Sequence, residues 1–249
     1  MVIYLDESYD QPNKRFLLLG LLFCPSKKLH RKLTTIHSHK RLLDKHKNII
    51  ETKYNNCFSK HNFTVCLESI DAFFKSDSWF CAIVVDTKSI KFDLNYFGKP
   101  YEPDSIKKAR VYKKFTELIL SHNTKRVTNA VLLVDELARC NYDRFIELIR
   151  ESFCVVGESY SKDKKAPTLR HIGSIKSSSP ENIRLCLCDL LLGCILNNNL
   201  PTRNRWKNQI RKELIKKLGV KDLLEPTWSS QRIKSTITKK FRIWYWKPK

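Results

Sequence analysis

The chain opens on two apolar runs that read as strands. Residues 2–5 end at Asp6, and residues 16–23 follow, with Pro12 and Asn13 in 10–14 supplying the turn of an antiparallel hairpin. A basic segment over 27–47 comes next. Its Leu29, Leu33, Ile36 and Leu43 recur near helical spacing, and 63–75 repeats the pattern with Val65, Ile70, Phe73 and Phe74. Residues 78–86 predict a strand, and 96–103, with Gly98, Pro100 and Pro103, a loop. Asp104 is placed to cap a helix running through Leu120. Residues 127–134 give the strongest buried-strand pattern. After them come an amphipathic helix over 142–153, a polar loop over 159–167, a strand over 169–175, and a turn at 177–180 opening a helix to Leu196. Strand and helix alternate from the third strand on, which argues for parallel strands joined by crossover helices. The expected fold is α/β, with a mixed five-stranded sheet flanked by helices over 1–198 and a helical insertion at about 26–75. The last part, 199–249, reads as an extension: a helix over 210–218 stopped by Gly219, and an alternating terminal strand over 241–246.

Composition sharpens this picture at one point, the charge. The 249 residues are 42% hydrophobic and 11% aromatic, as a folded globular chain requires, yet 47 Lys and Arg stand against 25 Asp and Glu, a net charge of +22. Such a field attracts polyanions, of which nucleic acid is the commonest and an anionic membrane surface the alternative. The cations concentrate in 27–53 and 199–249, which together hold 24 of them. Candidates for contacting a phosphate backbone are Lys27, Lys28, Arg31, Lys32, Lys40 and Arg41 in the first stretch, and Arg232, Lys234, Lys239, Lys240 and Arg242 in the second. Trp206, Trp228, Trp244, Tyr245 and Trp246 lie among the second set. Aromatics there suit unstacked bases, although the alternation of Trp244 and Trp246 equally suits a buried strand.

The nine cysteines form no disulfide framework, being odd in number, irregularly spaced and mostly set among apolar neighbours. The chain starts directly on a strand pattern, and its apolar runs are too short to span a bilayer, so the expectation is a cytoplasmic protein with reduced thiols and no membrane partner. Cys186-x-Cys188 and His37-x-His39 lack the spacing of a zinc ribbon or finger. No Gly-rich phosphate loop and no Gly-x-Ser-x-Gly elbow occurs.

The candidate chemistry is acidic. Asp6 and Asp135 each close an apolar strand. Strand alternation puts their neighbours Glu7 and Glu136 on the opposite face, so Asp6 and Asp135 are the members of each pair placed to share a pocket. Asp189 interrupts an almost wholly apolar helix, and Gly193, one turn on, permits something to approach closely beside it. The alternative for Asp189 is a sparse polar face shared with Arg184. Glu51-Thr52-Lys53 follows the first basic helix, and Asp86 rivals Glu51 as a fourth carboxylate. Carboxylates converging in an apolar setting repel one another unless a cation lies between them, so Asp6, Glu51, Asp135 and Asp189 are candidate ligands for a divalent metal. Lys53 is a candidate catalytic cation, and Glu7, Ser8, Glu136 and Asp86 are candidate supporting groups.

Tyr-Leu-Asp-Glu-Ser at the start, Glu-x-Lys after a first helix, Asp at the end of a later strand and Leu-x-x-x-Asp-Leu-Leu-x-Gly near 189 together resemble one family. It is the bacterial ribonuclease-H-like domain of unknown function family number thirty-eight hundred. The likeness covers roughly 1–196 in order, with Tyr9 in place of the family's Gly and Cys186 and Cys188 in place of its Gln and Ala. The resemblance implies a ribonuclease-H-like fold and hydrolysis of phosphodiester bonds in RNA or DNA by a two-metal Mg²⁺ or Mn²⁺ site. It also implies that Glu51 of the insertion stands in for a carboxylate usually carried by the first crossover helix, where this chain offers Glu117. The competing expectations are a non-catalytic nucleic-acid-binding protein and a subunit of a ribonucleoprotein or defence complex, each of which needs only the basic surface.

Overall fold

A computed structural model describes residues 1–9, 15–39, 51–89, 92–124, 127, 129–136, 145–153, 169–175, 182–199, 202–223 and 240–246. The strands are β1 (Val2–Tyr9), β2 (Phe16–Cys24), β3 (Trp79–Asp86), β4 (Ala130–Asp135), β5 (Leu169–Ile175) and β6 (Phe241–Trp246). The helices are α1 (Lys28–His39), α2 (Lys60–Phe74), α3 (Asp104–Asn123), α4 (Phe145–Phe153), α5 (Ile183–Asn199) and α6 (Arg205–Leu218). The expected hairpin turn at 10–14, the loop at 159–167 and the turn at 177–180 lie outside the described residues.

One mixed sheet runs β5-β4-β1-β2-β3-β6. Only β2 opposes the others: it is antiparallel to β1 and β3, while β1 with β4, β4 with β5 and β3 with β6 are parallel pairs. The sheet therefore has six strands, not the five expected. The terminal segment, with a readable alternation but no readable partner, adds the sixth beside β3.

Strand alternation sorts the core into two layers. Tyr4, Leu18, Leu22, Phe80, Phe241 and Ile243 face α1, α2, α5 and α6. Ile3, Leu5, Leu19, Cys81, Ile83 and Leu132 face α3 and α4. α5 lies across β1 and β2. It sits close because Gly20 has no side chain: a Cβ there would fall 2.9 Å from Leu192. α6 packs against α5 and α2, so the region read as an extension covers one face and closes one edge. Its end follows the expectation, with Gly219 in the left-handed conformation at φ 62°. Asp104 differs from expectation: Pro103 holds the cap position and Asp104 is the first helical residue. All seven described cysteines are buried and unpaired. No helix among the described residues is long and apolar enough to cross a membrane.

The terminal aromatics are packed groups. Trp246 meets Phe115 edge-on at 4.9 Å, Trp244 lies 5.1 Å from His122, and Trp206 lies 5.4 Å from Phe63. Phe241 is fully buried between Phe80 and Phe73. Phe241→Ala is expected to destabilise the protein by about 3–5 kcal/mol. Urea unfolding checks this, and a change below about 1 kcal/mol would mean that β6 contributes no core.

Candidate active site

The parallel ladder of β1 and β4 pairs Leu5 with Val134, so Asp6 and Asp135 come next, side by side, at the C-terminal edge of the sheet. Tyr4 and Leu133 point to the α5 layer, and alternation sends Asp6 and Asp135 the same way. Both side chains are buried. α5 brings the third carboxylate. Cys188 donates to the Gly20 carbonyl at 3.5 Å, and Gly20 is the ladder partner of Asp6. Asp189, the next residue, lies near enough for its charge to raise the Asp6 carboxyl, so it shares this pocket. Arg184, its suggested companion on a polar face, instead lies over the Tyr4 ring at 4.7 Å.

The insertion supplies the pocket wall. A single 3-10 turn, Tyr54–Asn56, sits against α5. A Cβ on Gly193 would lie 2.3 Å from both Cβ and Cγ of Tyr54, so the glycine is the seat of this ring. With the ring seated, the Tyr54 backbone N–H donates to Asp189 Oδ2 at 2.9 Å, and its hydroxyl donates to the Lys207 carbonyl of α6 at 3.2 Å. Thr52 is buried beside Cys186, and Glu51 and Lys53 flank it as an ion pair at 3.1 Å.

The charges act on one another. Burial first, then Asp189, Glu7 and Asp135, hold the Asp6 carboxyl well above the usual aspartate range, against one hydrogen bond from the Glu7 N–H at 2.8 Å. Burial also raises Asp189. The Tyr54 amide and Lys53 oppose that rise, and Glu51 and Asp135 add to it. Burial disfavours the Lys53 ammonium, but its bond to Glu51 and the charges of Glu51, Asp189 and Asp135 outweigh burial and raise it. Asp6, Asp135, Asp189, Glu51 and Lys53 thus share one electrostatic neighbourhood.

The other expected site residues are placed elsewhere. Asp86 is held by Arg15, whose Nε and Nη2 donate at 3.1 and 2.8 Å to its two oxygens, so this carboxylate is already matched by a cation. Glu136 is exposed, and its N–H donates to the Ile175 carbonyl at 2.9 Å. Ser8 sits beyond Asp6 on the same strand, paired with Leu18. Glu117 on α3 accepts from Ser152 of α4 at 2.5 Å, in the layer across the sheet from the pocket. Lys27, Lys28, Arg31 and Lys32 are exposed on and before α1, with Arg31 and Lys32 beside Glu68 and Asp71 of α2. Lys240 donates to the Ser76 carbonyl and lies 5.3 Å from the Phe73 ring centre, so it anchors β6. Lys40, Arg41, Arg232, Lys234 and Lys239 lie outside the described residues, as does Trp228. His37 is buried and His39 exposed, so the pair does not share one environment. Sequence reasoning passed over Tyr54 and Lys207. The available sign for Tyr54 was its place directly after Glu-x-Lys opposite a helix glycine; Lys207 had none.

The donor set is all oxygen and carries an excess of negative charge, the chemistry that suits a hard divalent cation. Among the described residues, as their side chains stand, no three His, Cys, Asp or Glu form a group that could hold a metal ion. A bound cation would therefore require these side chains to draw together. Comparison of the chain with protein families, with curated proteins and with solved structures returns no match.

Two outcomes follow from this geometry. Alanine normally stabilises a helix by about 1 kcal/mol over glycine. At Gly193 it must displace Tyr54, so Gly193→Ala is expected to destabilise by about 1–3 kcal/mol instead. A raised melting temperature would show that Tyr54 is not seated there. The second outcome concerns pH. An ordinary unfolded Asp ionises near pH 4, while Asp6 keeps its proton to higher pH in the folded chain. Folding then loses about 1.4 kcal/mol per pH unit between the unfolded pKa and the raised folded one. In chelator, Asp6→Asn should match wild type in melting temperature near pH 4 and exceed it increasingly as pH rises. A gap that does not grow with pH would refute the raised carboxyl.

Proposed function

We propose that this chain is a divalent-metal-dependent nuclease of ribonuclease-H-like fold, hydrolysing phosphodiester bonds of RNA or DNA. The observation that carries the reading is the convergence of Asp6, Asp135 and Asp189, from two adjacent strand ends and an apolar helix, in one pocket where Asp189 and Asp135 raise the Asp6 carboxyl and Asp135 raises that of Asp189. The order β5-β4-β1-β2-β3, with the antiparallel strands β1 to β3 first and the parallel β4 and β5 after them, supports the fold assignment. The net charge of +22 supports a polyanionic substrate.

Asp6, Asp135, Asp189 and Glu51 would hold Mg²⁺ or Mn²⁺. When bound, such ions activate a water and stabilise the leaving oxygen. The chain's own part is placement. The Tyr54 N–H fixes one oxygen of Asp189, and the other oxygen would serve a ligand. Lys53, paired with Glu51, offsets part of the negative charge and would meet a phosphate once Glu51 turned to a cation. The buried walls around Asp6 and Asp135 keep bulk water from competing.

Purified protein should cleave single-stranded RNA, DNA or a hybrid with Mg²⁺ or Mn²⁺ and stop with chelator, while Asp6→Asn and Asp189→Asn should stay folded and inactive. Mn²⁺ should raise the melting temperature of wild type and not of Asp6→Asn. Cleavage that persists in excess chelator rules the mechanism out. Binding of nucleic acid without cleavage under any metal favours a non-catalytic nucleic-acid-binding protein.

A further inference from the structure

We propose that Lys207, together with Asn55, forms a phosphate-binding position beside the carboxylate pocket, through which the C-terminal region holds the backbone of a nucleic-acid strand. The proposal rests on the nuclease reading for the class of ligand. Its observations are those of Lys207 itself.

α6 begins with its first N–H groups held by Asn204, whose Oδ1 accepts from Trp206 N at 2.9 Å and Lys207 N at 3.1 Å. Lys207 is thus set on a capped helix end, a firm support. Its carbonyl accepts the Tyr54 hydroxyl, which ties it to the segment that carries Glu51 and Lys53. Its ammonium donates to Asn55 Oδ1 at 3.3 Å and lies 5.4 Å from the Tyr54 ring centre. The charge of Asp189 reaches it.

What sets Lys207 apart is that its neutral partners lie where the pocket acid Asp189 acts on it: Lys240 also meets a carbonyl and a ring, but the acid acting on it is Asp77. Lys53 is paired with Glu51, and Lys217 of α6 with Asp71. Arg211 donates to the Asn197 carbonyl. Lys207 has an amide oxygen and a ring, and among the described residues no carboxylate within ion-pair distance. Partial burial pushes this ammonium below the usual lysine range. A desolvated cation with neutral partners gains most from an anion. The anion expected next to a nuclease pocket is a substrate phosphate. It needs a cation at the rim, because the carboxylates behind the rim repel it. Asn55 is exposed, so its amide can turn from the ammonium and donate to the same phosphate.

The test uses the full chain and a labelled single-stranded RNA of twelve nucleotides and its DNA counterpart, with binding measured in chelator across a salt series. Lys207→Met keeps an aliphatic stem over the Tyr54 ring, and the Tyr54 hydroxyl bond goes to a backbone carbonyl that any residue supplies. The fold should therefore survive, with an unchanged melting temperature. Lys207→Met should bind about tenfold more weakly and flatten the log–log salt slope by about 0.7. Lys207→Arg should keep the slope. Lys212→Ala, an exposed cation on the same helix, should change affinity far less and serves as the control for net charge. In cleavage assays Lys207→Met should raise KM and leave kcat within a few fold. Equal behaviour of Lys207→Met and Lys212→Ala overturns the proposal, as does a wild type that binds neither oligonucleotide. Lys207-dependent binding in a protein that cleaves nothing upholds the phosphate position and removes the nuclease reading.

Discussion

The contact between Tyr54 and Gly193 joins three parts of the chain that are far apart in sequence. α1 and α2 arise from a segment inserted between β2 and β3, α5 follows β5, and α6 belongs to the C-terminal region. Seating the Tyr54 ring in the space left by Gly193 puts its amide on Asp189 and its hydroxyl on the carbonyl of Lys207. Glu51 and Lys53 precede it by three residues and one residue, so their reach toward the pocket is set by the same contact. A side chain on residue 193 would occupy the volume of the ring, and the wall would have to move outward.

The pocket is electrostatically unfavourable by itself. Asp6 is buried with the Glu7 amide opposing the rise of its carboxyl, and at Asp189 the Tyr54 amide and Lys53 do so. Apolar layers on both faces of the sheet offset this cost. Such local disagreement with an otherwise consistent core is what the proposed cation site would leave behind. Asp86 shows the contrast, since Arg15 takes both of its oxygens and holds its carboxyl below the usual range. A carboxylate matched in this way needs no further cation.

The basic charge divides in a similar manner. Lys240 and the aromatic residues of β6 are structural, bound to a backbone carbonyl and to neighbouring rings. Lys27, Lys28, Arg31 and Lys32 stay exposed, and Lys207 stands at the pocket with neutral partners. A count of cations does not separate these roles. Their partners do.

By itself the sequence determined the elements and the three central acids. Short apolar runs located β1 to β5, alternation located β6, and helical spacing, caps and a long apolar stretch located α1 to α6, because such patterns are a property of a few consecutive residues. Asp6 and Asp135 were legible as polar residues ending apolar strands, and Asp189 as a charge inside an apolar helix. The tertiary structure decided which strands are neighbours, that the terminal strand makes the sheet six-stranded, that Asp86 belongs to Arg15, and that the terminal tryptophans pack inward. It also decided what fills the gap at Gly193 and that Lys207 meets the segment carrying Glu51. Apart from the β1–β2 hairpin, these are pairings between residues separated by about forty positions or more, as with Arg15 and Asp86 or Tyr54 and Asp189. Local pattern carries no record of such a partner. It is fixed when α5 crosses β1 and β2 and the insertion closes over it.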